Sequence, residues 1–191
     1  MLIPRADTEI LIEKVLSKIS KRDTFHILDL GCGTGIIGIT LALERPLSKT
    51  TLIDQSEDAL KNTKENLALH QAPNITIQKS EWFGSLANIK FDVIVSNPPY
   101  LEDSDPHLLV DLKHEPMSAL ISGPTGMTAI THIIEHAKNH MNHDAWLFIE
   151  HGYNQAEIAK DLFLKNGYQH IEHAKDIHGI HRVTFGQYSI V

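Results

Sequence analysis

The sequence predicts an α/β fold: a doubly wound, mostly parallel, seven-stranded sheet with an antiparallel edge strand. Three observations carry this. Short apolar runs alternate with stretches of helical period, which is how parallel strands joined by crossover helices read. The first run passes directly into a glycine-rich turn that opens a helix, GCGTGIIG. The last two strands are separated only by Lys175 to His181, too short for a helical crossover, so they pair antiparallel.

Taken in order, Asp7 or Thr8 caps a first helix to about Ile19, with Ile10, Leu11, Val15 and Ile19 on one face. Phe25 to Leu30 is a short buried strand, and the helix opened by the glycine turn continues through about Glu44. Thr50 to Asp54 is the second strand. Ser56 caps a helix to about His70, with Ala59, Leu60, Thr63 and Leu67 on its apolar side. Ile75 to Lys79 is the third strand. Phe91 to Ser96 is the fourth, and it ends abruptly at Asn97-Pro98-Pro99-Tyr100, where the prolines offer no N–H to a ladder. A helix spans Met127 to about Met141, followed by a strand from Ala145 to Glu150. Asn154 to Asn166 is a helix stopped by Gly167. Tyr168 to Ala174 and Arg182 to Tyr188 close the sheet.

Neither a repeat nor a low-complexity tract nor a linker interrupts this alternation, so residues 1–191 read as a single domain. No apolar run approaches the ~20 residues of a membrane-spanning helix, and MLIPRADTEI is not a secretory signal. The lone Cys32 excludes an internal disulfide and a CxxC metal site, and makes a reducing cytoplasm the expected compartment. The charge is −7, from 17 Lys and Arg against 24 Asp and Glu. A protein built to grip duplex nucleic acid carries a basic footprint instead. A small-molecule or protein substrate is therefore expected, with no membrane and no direct nucleic acid as partner.

Ligands of doubly wound sheets bind beyond the carboxyl ends of the strands. That places a candidate site at Gly31, Cys32, Gly33, Thr34 and Gly35, at Asp54, and at Asn97 to Tyr100. Glycines let the backbone approach a ligand and adopt positive φ, the helix behind them offers free N–H donors, and Asp54 suits the two hydroxyls of a ribose. Two cofactors fit. Gly33-x-Gly35-x-x-Gly38 matches the dinucleotide fingerprint of a nicotinamide oxidoreductase. The register Asp29-x-Gly31-x-Gly33-x-Gly35 suits S-adenosylmethionine, which has an amino-acid end and an adenosine but no pyrophosphate. Cys32 reads as a small loop residue, since no Lys or Arg adjoins it to lower its pKa.

Asn97-Pro98-Pro99-Tyr100 fits methylation of a planar nitrogen. The lone pair of an amide or aromatic NH₂ is delocalised, so two acceptors aimed at its protons would fix its plane and polarise it. The Asn97 side-chain carbonyl and the Pro98 backbone carbonyl supply them. The prolines stiffen the segment, and Tyr100 offers an aromatic face for stacking. Catalysis is then mostly positioning, worth up to roughly 7–11 kcal/mol in favourable cases, with no strong general base required.

DLGCGTG, Asp54, Glu81-Trp82-Phe83, SNPPY, LIPRADTE, the HEP at 114–116 and the closing GIHRVTFGQY together resemble the release factor glutamine methyltransferase family. The resemblance covers essentially the whole chain. It implies a Rossmann-like class I methyltransferase fold and transfer of a methyl group from S-adenosylmethionine, leaving S-adenosylhomocysteine. The acceptor it implies is the side-chain amide nitrogen of the GGQ glutamine of class 1 peptide chain release factors. Carried over, Gly31 to Gly35 line the cofactor, Asp54 holds its ribose and Trp82 borders the adenine. Asn97 touches cofactor and glutamine, and Pro98, Pro99 and Tyr100 complete the glutamine pocket. NPPY is shared with adenine-N6 methyltransferases of DNA and RNA, and a sister family methylates a ribosomal protein glutamine. The Pro4-Arg5-x-Asp7-Thr8-Glu9 segment and the negative charge favour the release factor branch. Two departures stand out: Ala6 replaces the usual proline, and the family carries a helical N-terminal domain ahead of LIPR, where this sequence opens. A cofactor-binding chain that transfers no methyl is the non-enzyme alternative.

Other residues read more plainly. His132, His136 and His140 recur on one face of a helix, with His143 beyond, but no Cys or carboxylate completes a ligand set, so a polar face and no metal are expected. His151 follows the fifth strand, as a proton acceptor or as a structural histidine. Arg5, Asp7 and Glu9 either close over the substrate or decorate a capped helix. Phe83 is expected in the core.

Overall fold

A computed structural model describes residues 6–72, 74–105 and 116–189. The elements are α1 Ala6–Lys18, β1 His26–Leu30, α2 Ile36–Glu44, β2 Lys49–Asp54, α3 Glu57–His70, β3 Ile75–Lys79, β4 Phe91–Ser96, α4 Thr128–Ala137, β5 Met141–Glu150, α5 Ala156–Lys165, β6 Gln169–Lys175 and β7 His181–Tyr188. The strands form one sheet in the order β3-β2-β1-β4-β5-β7-β6. β1 to β5 pair in parallel. β7 runs antiparallel to both β5 and β6, so the closing hairpin supplies the antiparallel edge.

Both faces are covered, as a sheet joined by crossover helices requires. On one face Leu11, Val15 and Ile19 of α1 and Ile37 and Leu41 of α2 pack on Ile27, Val93, Val95, Phe148 and Phe185. Ile39, Leu52 and Leu60 continue that layer under α3. On the other face Ile130, Ile133, Ile134 and Ala137 of α4 and Phe163 of α5 cover Leu28, Leu30, Ile94, Leu147 and Ile149. Alternate residues of β1 and β4 thus serve opposite layers. The buried Arg45 guanidinium donates to Leu16 O at 2.6 Å and Ile19 O at 3.1 Å, tying the end of α1 to the end of α2.

Several boundaries differ from the sequence reading: the helix expected to about Met141 ends at Ala137, with a 3-10 turn over Lys138–His140 after it. Among the described residues α1 spans Ala6–Lys18, so Asp7 and Thr8 are positions within the helix. β5 begins at Met141 because Met141 pairs with Phe91, and a register shift before the Val93–Trp146 pair absorbs Asn142 to Asp144. That polar stretch reads as a turn, yet it is a bulge within the strand. Ser56 caps α3 as expected, its hydroxyl accepting from Ala59 N–H at 3.3 Å. Pro4, Arg5, His114 and Glu115 lie outside the described residues. No helix among the described residues is long and apolar enough to cross a membrane.

Candidate active site

A crevice of about 900 Å³ opens beyond the carboxyl ends of β1, β2 and β4. Gly31 to Thr34, Asp54, Trp82, Asn97, Pro98 and Pro99 all line it. Gly31, Gly33 and Gly35 have φ of 74°, 57° and 78°, a region that favours glycine. Gly31 N–H and Cys32 N–H both donate to Ile53 O at 2.9 Å, anchoring the turn to β2. α3 holds it from outside: Thr63 donates to Gly33 O at 3.0 Å and Asn66 to Thr34 O at 2.9 Å. Asp54 Oδ2 accepts from Gly33 N–H at 2.9 Å and Oδ1 from Ser56 N–H at 2.8 Å. This fixes the carboxylate at the crevice wall with lone pairs to spare for hydroxyl donors.

Beneath the turn, Asp29 is fully buried. Its Oδ2 accepts from Gly38 N–H at 2.8 Å and its Oδ1 has no partner. Burial, aided by the charge of Asp54, pushes its carboxyl up to about 7, against the lowering effect of the Gly38 bond. Cys32 is buried, with Sγ 3.6 Å from Thr63 Oγ1, and burial pushes its thiol well above the usual range. It is therefore an inert lining atom.

Ser96 at the end of β4 donates to Leu30 O at 2.6 Å, which sets the following Asn-Pro-Pro-Tyr segment beside the glycine turn. Asn97 Nδ2 lies 3.3 Å from Thr8 Oγ1 of α1, as donor to it. Asn97 Oδ1 is buried and has no partner. Unsatisfied buried acceptors cost about 1–3 kcal/mol, so this oxygen, on a residue of the crevice wall, calls for an explanation. Tyr100 does not line the crevice. Its ring packs against the α4–α5 core cluster and lies 3.5 Å from where a Cβ on Gly152 would stand, so the expected stacking face is not turned to the crevice. The buried Gln155 ties down the Tyr100 backbone: its Nε2 donates to Tyr100 O at 2.9 Å and reaches Thr125 O at 3.5 Å, while its Oε1 accepts from Gly152 N–H at 2.9 Å. One amide thus joins three loops at the sheet's rim.

Trp82 lines the crevice with a positive φ of 45°, its carbonyl accepting from Ser80 Oγ at 2.8 Å. His132, also at the crevice, lies against Trp82 at 5.6 Å between ring centroids and stacks on His136 at 4.2 Å. His140 stacks on the buried Phe83 at 4.8 Å. The histidine face of α4 is therefore partly used to back the Trp82–Phe83 corner. Among the described residues no cluster of His, Cys, Asp and Glu is placed to hold a metal ion. His151 is buried away from the crevice, with Nδ1 2.9 Å from Gly152 O and Nε2 2.8 Å from Thr184 Oγ1, and burial pushes its pKa down to about 4. It is structural.

Thr8, Gln155, Asn66 and His132 were not assigned to the site from sequence. Thr8 belonged to a singled-out segment, whereas Gln155 and Asn66 carry no motif and reach the site only through long-range contacts.

A sheet of this order, with an acid-ended second strand and an orphaned amide acceptor over a glycine turn, is the architecture of a Rossmann-like methyltransferase domain. Residues 6–176 match the family described as Methyltransferase small domain. The chain resembles the methyltransferase of Pyrococcus furiosus at a TM-score of 0.71 and 16% identity, covering 100% of this chain and 88% of that one. A Thermus thermophilus 16S rRNA N2 G1207 methyltransferase, solved with AdoMet and guanosine, gives a TM-score of 0.72 at 14% identity over 97% of this chain and 43% of that one. At such identities these likenesses establish the fold.

Sequence relatives narrow the class. The release factor glutamine methyltransferase of Pseudomonas aeruginosa is 40% identical over 189 residues, 98% of this chain and 68% of the relative. That of Vibrio cholerae is 44% identical over 193 residues, covering 98% and 66%, and that of Escherichia coli 42% over 149 residues, covering 78% and 53%. The chain belongs to the release factor glutamine methyltransferase family. Its match spans about half the length of the Escherichia coli relative.

Proposed function

We propose that the chain is one methyltransferase domain that transfers a methyl group from S-adenosylmethionine to the side-chain amide nitrogen of a glutamine, the GGQ glutamine of class 1 peptide chain release factors, in the cytoplasm. The observation that carries this reading is the buried, partnerless Asn97 Oδ1 in the wall of the crevice beside the glycine turn. The residues present fit the cofactor. A Cβ at Gly31 or Gly33 would meet no protein atom within 4 Å, so the turn leaves room for a ligand against its backbone. Gly31 to Thr34 would face the cofactor, with Gly35 supporting the turn behind them; Asp54 would accept from the ribose hydroxyls, and Trp82 and Asn97 would border it. When bound, S-adenosylmethionine supplies an electrophilic methyl group.

The chain's own residues hold the nucleophile. Asn97 Oδ1 accepts one proton of the substrate NH₂, and the Pro98 carbonyl the other. This holds the amide plane and raises electron density on nitrogen. The prolines keep both acceptors rigid, and the near-attack geometry supplies most of the rate. Pro99 completes the wall, and Tyr100, pinned by Gln155, anchors the segment from behind. Methyl transfer leaves a protonated amide whose extra proton is strongly acidic and passes to water, so no buried base is needed.

Incubation with labelled S-adenosylmethionine and purified class 1 release factor, followed by mapping of the methylated residue, tests the reading. Label on the side-chain nitrogen of the GGQ glutamine is expected. Label instead on adenine of a nucleic acid or on a ribosomal protein glutamine overturns the substrate assignment. Asn97→Ala should lower kcat by roughly 10²-fold or more with an unchanged unfolding transition, and an active Asn97→Ala variant refutes the role given to that oxygen.

A further inference from the structure

We propose that Thr8 is a positioning residue whose hydroxyl sets which end of the Asn97 carboxamide faces the substrate. This rests on the methyl-transfer reading above. The two ends of a carboxamide are nearly identical in shape but opposite in chemistry, so only hydrogen-bond partners decide which points where. With its NH₂ end in the crevice, Asn97 would present a donor to a substrate that is itself a donor. With its oxygen there, it presents the acceptor that the reaction requires.

The structure leaves the oxygen of Asn97, and not its amine end, without a partner. Thr8 Oγ1 accepts from Asn97 Nδ2 at 3.3 Å, across a sequence separation of 89 residues. Thr8 is 5% exposed and lines the same crevice. Its support is stiff: α1 is seated by Leu11, Val15 and Ile19, and its final carbonyls are held by Arg45. A hydroxyl can donate as well as accept. The arriving substrate NH₂ bonds only the carbonyl-out form, however, and in that form Thr8 holds the amine end that would otherwise lack a partner. The Asp-Thr-Glu stretch of the sequence thus contributes a side chain to the site through its middle residue.

Thr8→Val keeps the shape and deletes the hydroxyl, while Thr8→Ser keeps the hydroxyl. The Asn97 side-chain NH₂ resonances, assigned by their loss in Asn97→Ala, should exchange slowly with water in the wild type and in Thr8→Ser, and fast in Thr8→Val. With release factor as substrate, Thr8→Val should lower kcat about tenfold, one lost hydrogen bond's worth, with S-adenosylhomocysteine affinity unchanged and Thr8→Ser within twofold of wild type. Wild-type exchange of the Asn97 protons in Thr8→Val overturns the proposal. So does a Thr8→Ser variant as impaired as Thr8→Val, since packing and not the hydroxyl would then matter. If wild-type protein methylates no release factor, the functional reading falls, and the exchange measurement still decides the role of Thr8.

Discussion

Two neighbouring glycines of one turn should respond differently to the same added methyl group. Gly33 and Gly35 both have positive φ, 57° and 78°, so alanine at either pays about 1–2 kcal/mol of left-handed strain. At Gly35 the new Cβ would stand 2.8 Å from Thr63 Cγ2, 3.1 Å from Ile39 Cδ1 and 3.3 Å from Leu52 Cδ2. Overpacking of that kind costs about 1–3 kcal/mol, giving Gly35→Ala a total loss of about 2–5 kcal/mol. At Gly33 the Cβ meets no protein atom within 4 Å, so Gly33→Ala should lose only the backbone cost of about 1–2 kcal/mol. Gly33 lines the crevice, however, and its methyl group takes space there. Denaturant unfolding together with calorimetric titration of S-adenosylhomocysteine separates the two effects. Gly35→Ala should be the less stable variant, and Gly33→Ala should bind at least tenfold more weakly than wild type. Equal destabilisation by both, or wild-type affinity in Gly33→Ala, would refute the reasoning.

Gln155→Leu should destabilise the protein by about 2–4 kcal/mol, because it strips partners from the Tyr100 carbonyl and the Gly152 N–H at a buried point; an unfolding midpoint equal to wild type would show that the three loops hold without it. The apo protein should also show an unusual pH trend at Asp29. Its folded carboxyl titrates near 7 and its unfolded one near 3.8, so the folded state binds the extra proton between those values. Asp29 therefore favours folding fully below the unfolded value and loses that contribution as pH rises towards 7. Asp29→Asn, which keeps an acceptor for Gly38 N–H, should gain stability relative to wild type as pH rises from 4 to 7. A difference between the two that is constant across that range would exclude the shift.

Where local chemistry decides, the sequence was transparent. β3 and β4 fall on the residues expected, Ser56 caps α3, and the glycine turn, Asp54, Trp82 and Asn97 to Pro99 converge on one crevice. The turn, the cap and the proline segment each depend on a strong local preference (positive φ, a capping hydroxyl, a missing N–H), whereas Trp82 is expected at the crevice only from the family resemblance. The failures are tertiary. Asn142 to Asp144 look like a turn because they are polar, and only pairing of Met141 with Phe91 makes them part of a strand. Tyr100 is aromatic and follows two prolines, which suggests a stacking face, but its ring packs on a core cluster built by distant elements and lies beside Gly152. The Thr8–Asn97 contact spans 89 residues and has no periodic signature at all.

The reversed direction of β7 has a practical use. Its final residues, Gln187 and Tyr188, stand in register with Trp146 and Ala145, at the start of the parallel run of β5, whereas the crevice lies past the other end of the strands. A dye or surface tether joined after Tyr188 therefore leaves from the rim remote from the chemistry, and an immobilised molecule would present its open mouth to the solution.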